Sequence, residues 1–112
     1  MEWIGVSGSW RKSAPELDND LTREVTAELE KGNGIVTGGA LNVDYKATEL
    51  ALKFAPDGSR LQVILPTSFD IYAAHYRKRA TEGVITLEQA EALIDQLRRV
   101  QKVGSLITLP YT

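Results

Sequence analysis

The sequence predicts an α/β fold: a Rossmann-like three-layer sandwich with a short parallel sheet of three to four strands and helices on both faces. Three observations predict it. Short apolar runs rich in β-formers alternate with longer segments of helical periodicity. Two of those runs lead directly into glycine-rich turns that open a helix. Asn33-Gly34, which in another setting would make a hairpin, follows a segment of helical rather than alternating periodicity, so it starts a strand instead. Alternation of this kind reads as one domain with a parallel sheet.

The first strand spans residues 3–7, Trp-Ile-Gly-Val-Ser, and ends at Gly8-Ser9. Ser13 stands as an N-cap, with Pro15 and Glu16 in the first turn of a helix. Leu17, Leu21, Val25 and Leu29 recur at a spacing of four and make its packing stripe. Gly32 is its expected C-cap. Ile35-Val36-Thr37 is the second strand. The next helix is expected over 44–55, with Ala47, Leu50, Ala51 and Phe54 on one face, and Pro56-Asp57-Gly58 stops it. Residues 61–65 form the third strand, closed by Pro66. A third helix covers 69–80 and breaks at Gly83. Thr86 and Gln89 have the spacing of a capping box and open a fourth helix. Its stripe is Ala90, Leu93, Ile94, Leu97 and Val100, and Gly104 ends it. Residues 105–109 are a further short strand.

Composition narrows the function. At 112 residues the chain is a single domain that buries about 65% of its unfolded surface. A net charge of −2 supplies no general attraction to nucleic acid or anionic lipid, so any phosphate must be held by local geometry. The absence of cysteine removes disulfides, thiol nucleophiles and thiolate metal sites, and fits a reducing cytosol. The expected location is cytoplasmic. The N-terminal residues read directly into a strand, so no leader is expected, and no apolar run in the sequence approaches the ~20 residues that span a bilayer.

The stretch from Gly34 to Leu52 carries the functional reading. It is a buried strand, a glycine turn and a helix start. Such a turn leaves backbone N–H groups bare where the helix dipole is positive, which is a site for phosphate. The first strand runs into Gly8-Ser-Trp-Arg-Lys12 in a similar way. The expected ligand-binding residues are Ser7, Gly8, Ser9 and Arg11 from the first turn. From the second come Gly38, Gly39, Ala40, Asn42 and Asp44. Thr67 joins them from the end of the third strand. Gly38 and Gly39 allow positive φ and close approach of a ligand, and Asn42 tolerates the left-handed region. Asp44 either caps free N–H groups or touches a ribose hydroxyl or base edge. Neither turn matches the full dinucleotide fingerprint or the P-loop. Gly5-Val-Ser7-Gly8-Ser9 lacks the second glycine of a nucleophile elbow, and His75 is the single histidine, which disfavours serine hydrolysis.

Thr37-Gly-Gly-Ala-Leu-Asn-Val-Asp-Tyr-Lys-Ala47 resembles the signature turn of the SLOG superfamily of Rossmann-like domains, in its DprA/Smf-like branch. Thr37, Gly38, Ala40, Val43, Asp44 and Ala47 match a pattern of roughly S-G-x-A-x-G-[IV]-D-x-x-A. Val6-Ser-Gly-Ser9 is similar to the first-strand turn of that group. The likeness covers about residues 3–80. It implies binding of nucleotides, nucleotide-like messengers or single-stranded DNA. The related LOG phosphoribohydrolases cleave nucleoside monophosphates, but their P-G-G-x-G-T-x-x-E loop and its glutamate have no counterpart here. Leu41 stands where DprA-like proteins often carry arginine, and Asn42 replaces a usual glycine. The family's later strands are also missing, so the chain is expected to be a truncated piece, a half-domain or a miniature variant. In the family's strand order 3-2-1-4-5, the first strand would lie at or near a bare edge with only residues 106–109 available to cover it. A flat apolar edge of that kind invites another chain. The expected partner is a second copy or a missing half.

Outside the turns, His75-Tyr-Arg-Lys-Arg79 is a basic cluster with Tyr72 and Tyr76 on one face. It reads as a solvated helix face or as a stacking surface for single strands. Arg11 and Lys12 are within reach of a phosphate at the first turn. Thr67 or Ser68 is the expected cap of the third helix. No metal site and no cofactor are implied. The leading expectation is therefore a small nucleotide-binding module. The alternatives are a single-stranded DNA module of the DNA-processing type, a nucleotide or nucleoside hydrolase with Asp44 as its one candidate acid or base, and an inert half of a larger assembly.

Overall fold

The structure is a computed structural model that describes residues 1–6 and 15–109. Its elements are β1 (Trp3–Gly5), α1 (Pro15–Glu30), β2 (Gly34–Thr37), α2 (Val43–Phe54), β3 (Leu61–Leu65), α3 (Phe69–Thr81), α4 (Leu87–Lys102) and β4 (Leu106–Thr108). Every element that the hydrophobic periodicity predicts is present, within a residue or two at each end. The first helix's Ser13 cap lies outside the described residues, as does the side chain of Leu17. Gly32 takes φ +91° just past α1, and Asn33 N–H closes onto Glu28 C=O. This is the glycine-terminated helix end expected there. Thr86 and Gln89 form the reciprocal capping box at the start of α4.

All four strands are parallel and lie in the order β1-β2-β3-β4. The expected 3-2-1 run is there, and β1 is an edge. The fourth strand corrects one expectation. It joins β3 on the far side, Val63 against Leu106, and does not cover β1.

That order has a consequence for layering. Each right-handed crossover steps the chain in the same direction, so each crossover puts its helices on the same side of the sheet. A doubly wound sheet reverses direction once, and the reversal moves the later helices to the second face. Here no reversal occurs among the described strands. Burial alternates accordingly. Ile35, Leu61, Val63 and Leu65 are buried on one face, beneath Val25 and Leu29 of α1, Ala47 and Ala51 of α2, and Leu93, Leu97 and Val100 of α4. α3 packs beside α4. The opposite face presents Trp3, Val36, Gln62, Ile64 and Ile107, all partly or well exposed. Helices on both faces were expected. Among the described residues the second face carries none.

α2 lies against the sheet between α1 and α4, which alters its buried stripe. Ala47 and Ala51 are buried and Leu50 is half-buried, but Phe54 is 46% exposed, with the Arg60 guanidinium 5.8 Å above its ring. Thr48 and Leu52 are buried instead. Thr48 Oγ1 lies 3.0 Å from Thr37 Oγ1, and both residues are almost fully buried. Each hydroxyl is the other's partner and ties α2 to β2. Thr37→Val or Thr48→Val alone should cost about 1–2 kcal/mol, because one buried hydroxyl is then stranded. The double variant should recover most of that loss. Urea unfolding of the four proteins measures the cycle.

Candidate functional site

The site expected from the sequence lies where β1 and β2 end. The two strands are parallel neighbours, so their carboxyl ends share one rim. Ser7, Gly8, Ser9 and Arg11, with Trp10 and Lys12, lie outside the described residues. The second turn is described in full.

Gly39 takes φ +75°. A Cβ there would lie 2.6 Å from Leu65 Cδ2 and 3.3 Å from Val63 Cγ1. Its side therefore faces the core, and glycine is required for packing as well as for backbone conformation. Gly38 holds an ordinary φ, and a Cβ there would meet Asp44 Oδ2 at 3.1 Å. Leu41 is buried in the core.

Asp44 is 5% exposed. Its Oδ2 accepts from the Gly38 N–H at 3.1 Å and the Ala40 N–H at 3.3 Å. The amides expected to be bare for a phosphate are thus occupied by the chain's own carboxylate. Asp44 caps the turn that precedes α2 rather than the helix itself. Its Oδ1 is buried with no hydrogen-bond partner. Burial raises the carboxyl above its ordinary range, and the Ala40 and Gly38 amides offset only part of that rise.

Tyr72 completes the turn from α3. Its hydroxyl donates to Gly39 C=O at 3.1 Å. Burial pushes its phenol well above the usual tyrosine range, and Tyr76 and the Asp44 charge add to the effect. Tyr72 and Tyr76 share the expected face, with rings 5.1 Å apart. Thr67 lies at the end of β3 with its hydroxyl buried and unpartnered, while Ser68 caps α3 by accepting from Ile71 N–H.

The helix start differs from the turn. The first bond of α2 runs from Lys46 N–H to Asn42 C=O, so the amides of Val43, Asp44 and Tyr45 precede the ladder. Asn42 is the N-cap residue and makes no side-chain cap bond. It is held at φ 62°, ψ −106°, a conformation that costs a non-glycine residue about 1–3 kcal/mol. A cleft of about 570 Å³ reaches this point. It runs from Gly5 and Val6 at the end of β1 to Val43, over a floor of Ile4, Val25 and Ile35. Glu24, Glu28 and Lys31 of α1 also line it.

Sequence reading did not find the role of Tyr72, the unpartnered Asp44 Oδ1, or Gln96. Gln96 is fully buried on α4. Its Nε2 donates to Tyr45 C=O at 2.9 Å and to Glu49 Oε1 at 3.2 Å, which fastens the first turns of α2 to α4. Its position beside Leu93 and Val100 on the packing stripe was the available signal. The basic cluster on α3 is partly committed within the chain: Arg77 pairs with Glu91 at 3.1 Å, and Arg79 donates to His75 at 3.4 Å. No group of three or more metal-ligating side chains occurs among the described residues, and no described helix is long and apolar enough to cross a membrane. No family model, curated protein or solved structure matches the chain.

Proposed function

We propose that this chain is a small cytosolic domain that binds a nucleotide or nucleotide derivative at the rim formed by β1 and β2. One observation carries the reading: the amides that open α2 have no side-chain cap, and a cleft of about 570 Å³ with both apolar and charged walls reaches Val43, the first of them. Phosphate oxygens would take the amides of Val43, Asp44 and Tyr45, with the helix dipole behind them. The base and sugar would occupy the cleft, whose volume lies in the range of small-molecule sites. Asp44 Oδ1, which lacks a partner, would accept a ligand hydroxyl when ionised or donate to a phosphate oxygen when protonated. The resemblance of the turn to SLOG domains of the DprA-like branch agrees with this class of ligand.

The test uses inorganic phosphate, nucleosides and nucleoside monophosphates in thermal-shift and calorimetric titrations. A bound nucleotide at ~100 times its dissociation constant adds about 2.7 kcal/mol of stability. The expected result is stabilisation by a nucleoside monophosphate and not by its nucleoside. Asn42→Asp places a carboxylate at the helix start. It should remove that response while leaving the fold intact by circular dichroism. A wild-type protein that responds to none of these compounds would overturn the reading. So would Asn42→Asp binding as tightly as wild type. Tight, salt-sensitive binding to single-stranded oligonucleotides without a mononucleotide response would favour the DNA-processing alternative. Release of free base would assign a hydrolase.

A further inference from the structure

We propose that the edge of β1 that no described strand covers pairs, antiparallel, with the same edge of a second copy of this chain, about a two-fold axis through Ile4. The hydrogen bonds of β1 define which groups are available. Glu2 C=O accepts from Gly34 N–H, and Val6 N–H donates to Val36 C=O. Ile4, between them, faces β2 in the same ladder. Strand alternation therefore turns the N–H and C=O groups of Trp3 and Gly5 outward, where no described strand meets them.

These outward groups are complementary to themselves. With Ile4 opposite its symmetry mate, Trp3 of one copy lies opposite Gly5 of the other. Each such pair exchanges both of its bonds, as a hydrogen-bonded antiparallel pair does. Side chains leave the edge open. The Trp3 ring leans inward over β2, so that a Cβ on Gly34 would be 2.4 Å from Trp3 Cζ3. A Cβ on Gly5 would meet nothing within 4 Å, which leaves room beside the partner's tryptophan. The same register sets Glu2 against Val6 of the second copy, so the two Glu2 carboxylates do not face each other. The strand itself has no proline, no lysine and no charge. Such features ordinarily protect a sheet edge from pairing. An isologous contact of this kind closes on itself as a dimer.

Sedimentation velocity over a wide concentration series reads the association. The expected result is a reversible monomer–dimer equilibrium. Gly5→Pro removes an outward N–H and no bond to β2, so it should raise the dimer dissociation constant about tenfold or more. Circular dichroism of that variant at a concentration where wild type is monomeric should match wild type. A second variant does not depend on Gly5. The chain has no cysteine, and Ile4→Cys puts a single thiol on the axis. A non-hydrogen-bonded pair there brings the Cα atoms to about 4.5 Å, within disulfide reach. Mild oxidation should give a covalent dimer for Ile4→Cys and none for Asp57→Cys in an exposed turn. A monomer at every concentration overturns the proposal, as does a dimer that Gly5→Pro leaves intact or that Ile4→Cys fails to cross-link.

Discussion

Asp44→Ala is expected to destabilise the protein by about 2–4 kcal/mol, on the order of 10 °C in Tm for a domain of this size. The carboxylate is the acceptor for two turn amides, Gly38 and Ala40, and it sits almost wholly inside the protein. Removing it strands both donors and leaves a void beneath the turn. Asp44→Asn should behave differently. Its carbonyl can accept from the same two amides and it leaves no void, although its Nδ2 brings donors to a place where Oδ1 has no partner. We expect a loss of about 1–2 kcal/mol, smaller than that of Asp44→Ala. The pair separates the shape of the group from its charge.

Charge enters through pH. Burial raises the folded-state pKa of Asp44 above its unfolded value of 3.8. The folded protein then holds that proton more tightly than the unfolded chain, so the stability Asp44 contributes is complete below the unfolded pKa. It is lost as pH rises through the folded pKa. Wild type minus Asp44→Asn should therefore lose stability on going upward from about pH 4 and level off above the folded pKa. Urea titrations of the two proteins across that range measure it. A difference that grows with pH would mean the Gly38 and Ala40 amides stabilise the anion by more than burial disfavours it.

The second large effect is at Gly39. Gly39→Ala should cost about 3 kcal/mol. Part is backbone strain, because φ +75° is unfavourable for any residue with a Cβ. The rest is overpacking against Leu65 and Val63, which are themselves completely buried and have no space to withdraw. Gly83→Ala isolates the first component. Gly83 has a similar φ of +79° but open surroundings, and its loss should be about 1 kcal/mol. Equal losses at the two positions would show that the core beneath Gly39 yields.

Both predictions concern a turn whose sequence was legible while its internal wiring was not. Gly38, Gly39, Asn42 and Asp44 stood out as residues of a tight strand-to-helix connection, and the connection is there. Asn42 has the positive φ expected of it. Which acceptor those amides use was not legible. Asp44 lies four residues after Ala40 and six after Gly38, close enough to cap the helix ahead or to fold back on the turn behind. The choice follows from how β2 and α2 are docked by Thr37, Thr48 and the buried Leu41. Tyr72 reaches Gly39 from α3, thirty-three residues away in sequence, and no local pattern marks such a contact.

The sequence by itself determined the kinds and limits of the elements. Their apolar spacing, glycine stops and capping box are short-range properties, expressed through backbone conformations and hydrogen bonds a few residues long. Only the tertiary structure decided on which side of β3 the last strand would pair. Strand order is a long-range choice between competing surfaces. By continuing the sheet in one direction, that choice leaves one face and the β1 edge without a described helix or strand.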